Sequence, residues 1–263
     1  MFAWRAFPEE PGVSSGAYLT VPALARSGID VAFTTRHGGR SATPFESLNL
    51  SYSSGDDAGV VRANRRRALA AVGGALESWT GARQVHGVAA VHAGIGERGA
   101  GWESPSDVIA DADALWTDVP DVSVVVLTAD CVPVLLADRE KRRVGVVHAG
   151  WRGMLAGAIE ETLVSMGGPD GISAYVGPSI GPCCYEVGDE VVVVARERLG
   201  DVVRENGGTR RLDLWACALR ALARGGVREV WPAALCTRCE QSRFFSHRAG
   251  ARGRQGVLAR IAS

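Results

Sequence analysis

The stretch "TADCVPVLLADREKRRVGVVHAGWRG", Thr128 to Gly153, decides the fold. Two apolar β-branched runs, "VPVLLAD" (132–138) and "RVGVVHA" (143–149), flank a short polar segment from Asp138 to Arg143. That pattern reads as a β-hairpin. With the turn centred on Glu140, paired positions sum to about 280, so Cys131 faces position 149, next to His148. Directly opposed residues stand ~4.5–5.5 Å apart at Cβ, which brings the lone cysteine and the lone histidine together at the hairpin's open end, with Asp130 beside them. Glycines and a tryptophan follow at once in "HAGWRG", and a helix starts near Trp151 or Arg152. Free amides at a helix start attract anions, and the Arg152 guanidinium adds a fork for phosphate or carboxylate.

Working outward, "VAFTT" (31–35), "VSVVVLT" (122–128) and "ISAYVG" (172–177) read as further strands. Helical periodicity runs over roughly 60–72, 152–166, 187–199 and 211–224. Strands crowd the middle and helices separate the later ones, so the expected class is α+β or mixed α/β, with sheets covered by helices. "GIGERGAGWESPSD" (94–107) is glycine-rich and reads as a loop. No repeat and no linker divides the 263 residues.

Composition narrows the function. The 29 basic and 29 acidic residues cancel, so no overall field favours nucleic acid or an anionic membrane. Lys141 is the sole lysine, which argues against a Schiff-base or phosphate-loop lysine and leaves anion binding to arginine or backbone amides. The opening "MFAWRAFPEEPG" meets proline and glutamates too early for a signal peptide. No apolar run reaches membrane-spanning length. Six cysteines without export signals point to reduced thiols and a cytoplasmic protein.

His86, in "RQVHG", is a third candidate beside Cys131 and His148. One cysteine and two histidines suit zinc with an open fourth position, although their spacing matches no compact zinc motif. For a closed site, His92 or Cys184 would be the fourth ligand. "CTRC" (Cys236, Cys239) has redox-motif spacing and "PCCYE" holds Cys183 and Cys184; a second metal site there is an alternative, but a CxxC without partner ligands is more often structural or incidental. "RRR" (65–67) reads as a solvated helix face, and "TTRHGGRS" (34–41) as a turn able to cradle an anion.

Taken together, these segments resemble the YfiH family, also called the laccase-domain or polyphenol-oxidase family. The resemblance runs in order through "FTTRHGGRSATPFESLNLS" (33–51), "GDDAGVVRANRR" (55–66), "RQVHG" (83–87), "DADALWT" (111–117), "LTADCVPVLL" (127–136), "VGVVHAGWRG" (144–153), "VGPSIGPCCYEVGDEV" (176–191), "CT" (236–237), "FFSHR" (244–248) and "GRQGVLARI" (253–261). It implies a single domain over 1–263 of mixed β-sheets sandwiched between helical layers, a cysteine-hydrolase-like fold. It also implies zinc held by His86, Cys131 and His148. His247 stands where the family usually has tyrosine in "FFSYR"; either side chain stacks or hydrogen-bonds, so the same reaction class is expected.

The resemblance implies a purine nucleoside phosphorylase acting on adenosine, inosine, guanosine or methylthioadenosine with phosphate, with adenosine deamination in some members. Arg36, Arg152 and Arg248 are the expected phosphate or substrate clamps. Gln84 and Asn49 are expected to hydrogen-bond ribose or base. Deamination would use zinc to make water acidic enough to attack an aromatic carbon, with Asp130, or else Asp113, as acid/base. Three other readings stay open. Cys131 and His148 could form an amidase-type pair editing a cell-wall precursor, the zinc could be structural in a binding protein, or copper could enter the zinc site and oxidise phenols in vitro. A true four-copper oxidase needs about ten histidines, largely in His-x-His pairs; this chain has five and no such pair. The expected state is a monomer.

Overall fold

A computed structural model describes all 263 residues. Two six-stranded mixed sheets pack face to face, with helices on both outer sides. The first sheet comprises β1 (Ala3–Ala6), β2 (Ala17–Thr20), β3 (Ile29–Thr34), β4 (Trp79–Gly81), β7 (Ser123–Thr128) and β14 (Gln255–Ile261), in the order β1-β2-β3-β14-β7-β4. The second comprises β5 (Ala90–His92), β6 (Ala114–Thr117), β8 (Val132–Asp138), β9 (Arg143–Ala149), β10 (Ile172–Val176) and β13 (Glu229–Pro232), in the order β13-β10-β8-β9-β6-β5. Only β4·β7, β5·β6 and β10·β13 pair in parallel.

Alternation along the strands builds three cores. Ile29, Val31 and Phe33 of β3 meet Leu135, Val144 and Val146 between the sheets. On β8, Val132, Val134 and Leu136 face the other way, onto α3 (Trp151–Ala156), α4 (Ala158–Ser165), α5 (Asp189–Leu199) and α6 (Leu214–Arg224). The outer face of the first sheet packs on α2 (Ala58–Ala70) through Ala68, Leu69 and Trp79. The short α1 (Pro22–Ala25) adds Leu24 to the inter-sheet core. Both faces of each sheet are therefore buried, and β8 reads as a continuous apolar run.

The hairpin is β8 and β9, with the boundaries expected. Its register is shifted by one: pairs run from Asp138↔Arg143 to Val132↔Ala149. Pro133 then stands opposite His148, and Cys131, two residues before Pro133, falls on the same face as His148. In the expected register the two side chains would have pointed to opposite faces, so the slip is what unites them.

Two helices differ from expectation. The single helix over 152–166 is broken at Gly157, whose φ of 104° divides α3 from α4. The helix expected from 211 begins at Leu214, because Thr209–Leu212 forms β12 and pairs with β11 (Val203–Asn206). Gly207 and Gly208, both at positive φ, make the tight turn between them. Asp213 then caps α6 by accepting the Ala216 N–H at 3.0 Å.

Candidate metal centre and cleft

The connection from β4 to β5 carries His86, and that from β7 to β8 carries Cys131; both cross from one sheet to the other. His148 stands near the end of β9. The three ligand atoms all lie within 4.8 Å of one another. Cys131 Sγ is 3.9 Å from His86 Nε2, and the two imidazole rings meet edge to face with centroids 4.8 Å apart.

His86 and Asp130 hold left-handed backbone, with φ of 61° and 89°. Non-glycine residues stay there only where their surroundings over-determine them. For His86 the constraint is Asp113. Its carboxylate accepts the backbone N–H groups of Val85, His86 and Gly87 at 3.1, 3.0 and 2.7 Å. It also lies 2.7 Å from His148 Nδ1, while the Asp113 carbonyl accepts the His148 N–H at 2.7 Å. One fully buried carboxylate thus fixes the His86 turn and leaves the other ring nitrogen of His148 for Cys131.

Burial pushes the Cys131 thiol up, but hydrogen bonds and charge from His148 and His86 outweigh it and bring it to about 6. Burial pulls His148 down, yet Asp113 and Cys131 raise it to about 9. Burial likewise pushes Asp113 up, and His148 with the turn amides holds it below the usual carboxylate range. At neutral pH the metal-free triad is therefore a thiolate beside an imidazolium. A thiolate with two imidazoles suits zinc. No fourth histidine, cysteine or carboxylate joins the group, so a metal held by these three would keep a coordination position open. His92 bonds Asp118 at 2.8 Å instead, and Cys184 lies in a different cluster.

Cys131, His86 and His148 line a cleft of about 480 Å³. Its walls also carry Tyr52, Trp79, Arg65, Arg254 and His247. Arg65 corrects the solvated-face expectation for "RRR": it is buried, its guanidinium 4.1 Å from both the Tyr52 and Trp79 ring centroids. It donates to the carbonyls of Leu50 and Gly101 and faces no carboxylate. Burial brings it down to about 10, still charged at neutral pH. Val61, Arg65, Ala68 and Leu69 share one buried helical face, a spacing that the sequence already displays. The Arg254 guanidinium donates only to backbone carbonyls of its own segment, and burial lowers its pKa. The 94–107 loop also reaches the cleft, through Gly101 and Pro105.

The other expected site residues are placed as follows. Gln84 lines the cleft, but both ends of its amide are taken by the Leu127 backbone, at 2.7 and 2.8 Å. Asp130 accepts Thr237 Oγ1 at 2.6 Å and the Arg248 N–H at 2.7 Å, tying two loops together. Arg36 donates to the Glu46 and Gln241 carbonyls, away from the cleft. Asn49 is buried, accepts the Arg254 N–H at 2.9 Å and so positions Arg254. The exposed Arg152 lies over Trp151, and Arg248 lies over Tyr185.

The glycines of "HAGWRG" allow close approach. A Cβ at Gly150 would sit 2.9 Å from the His86 ring and 3.1 Å from Cys131 Sγ, and one at Gly153 would sit 2.6 Å from the Gly87 carbonyl.

Comparison with known proteins agrees with this architecture. Residues 30–262 match the family model described as "Multi-copper polyphenol oxidoreductase laccase". A purine nucleoside phosphorylase of Pseudomonas aeruginosa is 38% identical over 242 residues, covering 90% of this chain and 94% of that protein. The crystal structure of YlmD from Geobacillus stearothermophilus superposes with a TM-score of 0.87 at 34% identity, covering 98% of this chain and 99% of that one. The Bacillus licheniformis YfiH structure gives 0.88 at 30% identity, covering 95% and 97%. The chain belongs to this laccase-domain family, whose members include YfiH and YlmD.

Proposed function

We propose that this chain is a zinc-dependent purine nucleoside phosphorylase. It takes adenosine, inosine, guanosine or methylthioadenosine with phosphate to free base and pentose 1-phosphate, as a cytoplasmic monomer. The observation that carries the reading is the company the open metal position keeps. It shares one cleft with two arginines whose guanidinium groups donate to backbone carbonyls rather than to a carboxylate, and with two aromatic rings. The relatives' names support the same activity.

Zinc held by His86, Cys131 and His148 would supply a Lewis acid with one free position. The chain's own groups do the rest. Arg65 and Arg254 bring charge into the cleft for phosphate. Arg83 is paired with Asp111 at 2.7 Å and contributes less. Arg36, Arg152 and Arg248 do not line the cleft, so the clamp role falls to Arg65 and Arg254. Tyr52 and Trp79 back Arg65 and hold its guanidinium plane. His247 offers a hydrogen bond to a leaving base. The cleft volume falls within the ~300–1,000 Å³ of small-molecule sites. Its lining contains no aspartate or glutamate, which favours phosphorolysis over deamination, where a carboxylate would move the proton. Copper in the same three ligands would account for any phenol oxidation in vitro, in line with the family description.

One observation favours a second reading. Asp113, His148 and Cys131 stand in an orienter–base–nucleophile series, and the thiol is lowered to about 6. Metal-free protein would then act as an amidase-type hydrolase. Zinc-loaded protein incubated with inosine and phosphate should release hypoxanthine, and His86→Ala should lower that at least a hundredfold. Base release no greater than in the variant sinks the phosphorylase reading. Iodoacetamide reaction at Cys131 that zinc does not suppress would favour the hydrolase.

A further inference from the structure

Outside the cleft, the fold gathers a second set of soft ligands. Cys183, Cys184, Cys236 and Cys239 come from two segments more than fifty residues apart, yet their sulfurs all lie within 4.8 Å of one another. Cys239 Sγ is 3.4 Å from both Cys183 Sγ and Cys184 Sγ. Four thiolates around one zinc at ~2.3 Å have sulfur–sulfur edges of about 3.8 Å, close to this spread. A disulfide needs ~2.05 Å between two sulfurs, well short of the 3.4 Å from Cys239 to either Cys183 or Cys184.

The backbone around Cys236 is arranged for a thiolate. Its sulfur is buried and receives the N–H groups of Gly181 at 3.3 Å and Cys239 at 3.5 Å. A neutral thiol accepts such bonds weakly, whereas a metal-bound thiolate is stabilised by them. The two segments are already in register: Ser179 N–H donates to Leu235 at 3.1 Å and Thr237 N–H to Ser179 at 3.0 Å. No histidine or carboxylate joins the set, and an all-sulfur tetrahedron selects zinc over hard cations.

We infer that Cys183, Cys184, Cys236 and Cys239 form a second metal site, a closed four-thiolate zinc centre that shares no ligand with His86, Cys131 and His148. Its role is structural. Thr237, inside the CxxC, donates to Asp130 Oδ1 at 2.6 Å, and Ile180 N–H donates to the Asp130 carbonyl at 2.9 Å. The ion would staple these two segments against Asp130 and so steady the turn that presents Cys131. The inference does not depend on the reaction proposed above.

Metal analysis of the full chain, purified under reducing conditions with zinc present, tests it. Wild type should hold two zinc ions per chain. His86→Ala/His148→Ala should keep one, and Cys236→Ser/Cys239→Ser should lose that one and keep the other. If the cysteine variant fails to fold, cobalt substitution of the histidine variant carries the test. The expected spectrum combines thiolate-to-metal charge transfer in the near ultraviolet with tetrahedral visible bands. Absence of bound metal from the folded histidine variant overturns the inference. So does a disulfide among the four cysteines that survives purification under those reducing conditions.

Discussion

Asp113 is the residue on which both halves of the site depend. It holds the His86 turn through three backbone amides and His148 through its ring nitrogen, across 26 to 35 residues of chain. Zinc at the proposed site would have to displace the His148 proton, whose pKa Asp113 and Cys131 raise to about 9. Metal uptake there should release that proton at any lower pH, so this residue alone should make apparent zinc affinity rise about tenfold per pH unit. Below about 6 the Cys131 thiol is also protonated and the dependence steepens. Asp113→Asn keeps the shape but sets an amide against the turn's N–H donors and removes the charge that supports the imidazolium. Competition titrations with a chromogenic chelator should show zinc affinity lowered about 10–100-fold, with the His148 break moved to lower pH. Unchanged affinity would remove Asp113 from its orienting role. Cys131 and His148 were legible in the sequence because they interrupt apolar strands. Asp113 was legible only as a carboxylate, since its partners are set by the crossing of two distant segments. Arg65 was misread because three adjacent arginines suggest solvent, although its helical spacing from Val61 and Leu69 places it on the buried face.

Elements rather than motifs explain why the ligands are so far apart in sequence. The chain passes between the sheets at β4→β5 and at β7→β8, and each crossing delivers one ligand to the same place. The hairpin adds the third, and the turn from β9 into α3 seals the group from behind. That seal depends on Gly153, where an added Cβ would lie 2.6 Å from the Gly87 carbonyl. Backbone cannot give way as a flexible side chain can. Gly153→Ala should cost about 1–3 kcal/mol in denaturant unfolding. It should also weaken zinc binding at least tenfold, because the His86 turn moves with Gly87. Gly96→Ala, with nothing within 4 Å of the new methyl, is the matched control and should change neither. Equal behaviour of the two variants would mean that the His86 turn is not set by this contact. The hairpin and α2 were readable from local periodicity. The break at Gly157 and strand β12 were not, because glycine in a helical pattern and a short polar strand give little local signal.

At the scale of the molecule, β14 joins pieces that the chain makes far apart. It lies between β3 and β7, with Thr34 and Gly256 bonded across 222 residues of sequence. Val257 and Ile261 face the inter-sheet core, while Leu258 faces the layer beneath α2. "GVLARI" carries no strong alternation, and its central place follows from pairing on both edges, which no local window reveals. Without β14 the first sheet divides into β1-β2-β3 and β7-β4, each with an open edge. Burial of Val257, Leu258 and Ile261 alone contributes about 1.5–3 kcal/mol apiece, against a total stability of about 5–15 kcal/mol for a folded domain. The segment just before β14 also carries Arg254 into the cleft, so sheet and site are lost together. Deletion of residues 255–263 should therefore abolish near-ultraviolet circular dichroism and cooperative thermal unfolding, with zinc retention at the histidine–cysteine site falling in parallel. A truncated chain that still unfolds cooperatively would show that the second sheet and its helices stand without the first. The two-sheet core would then be two folding units in contact.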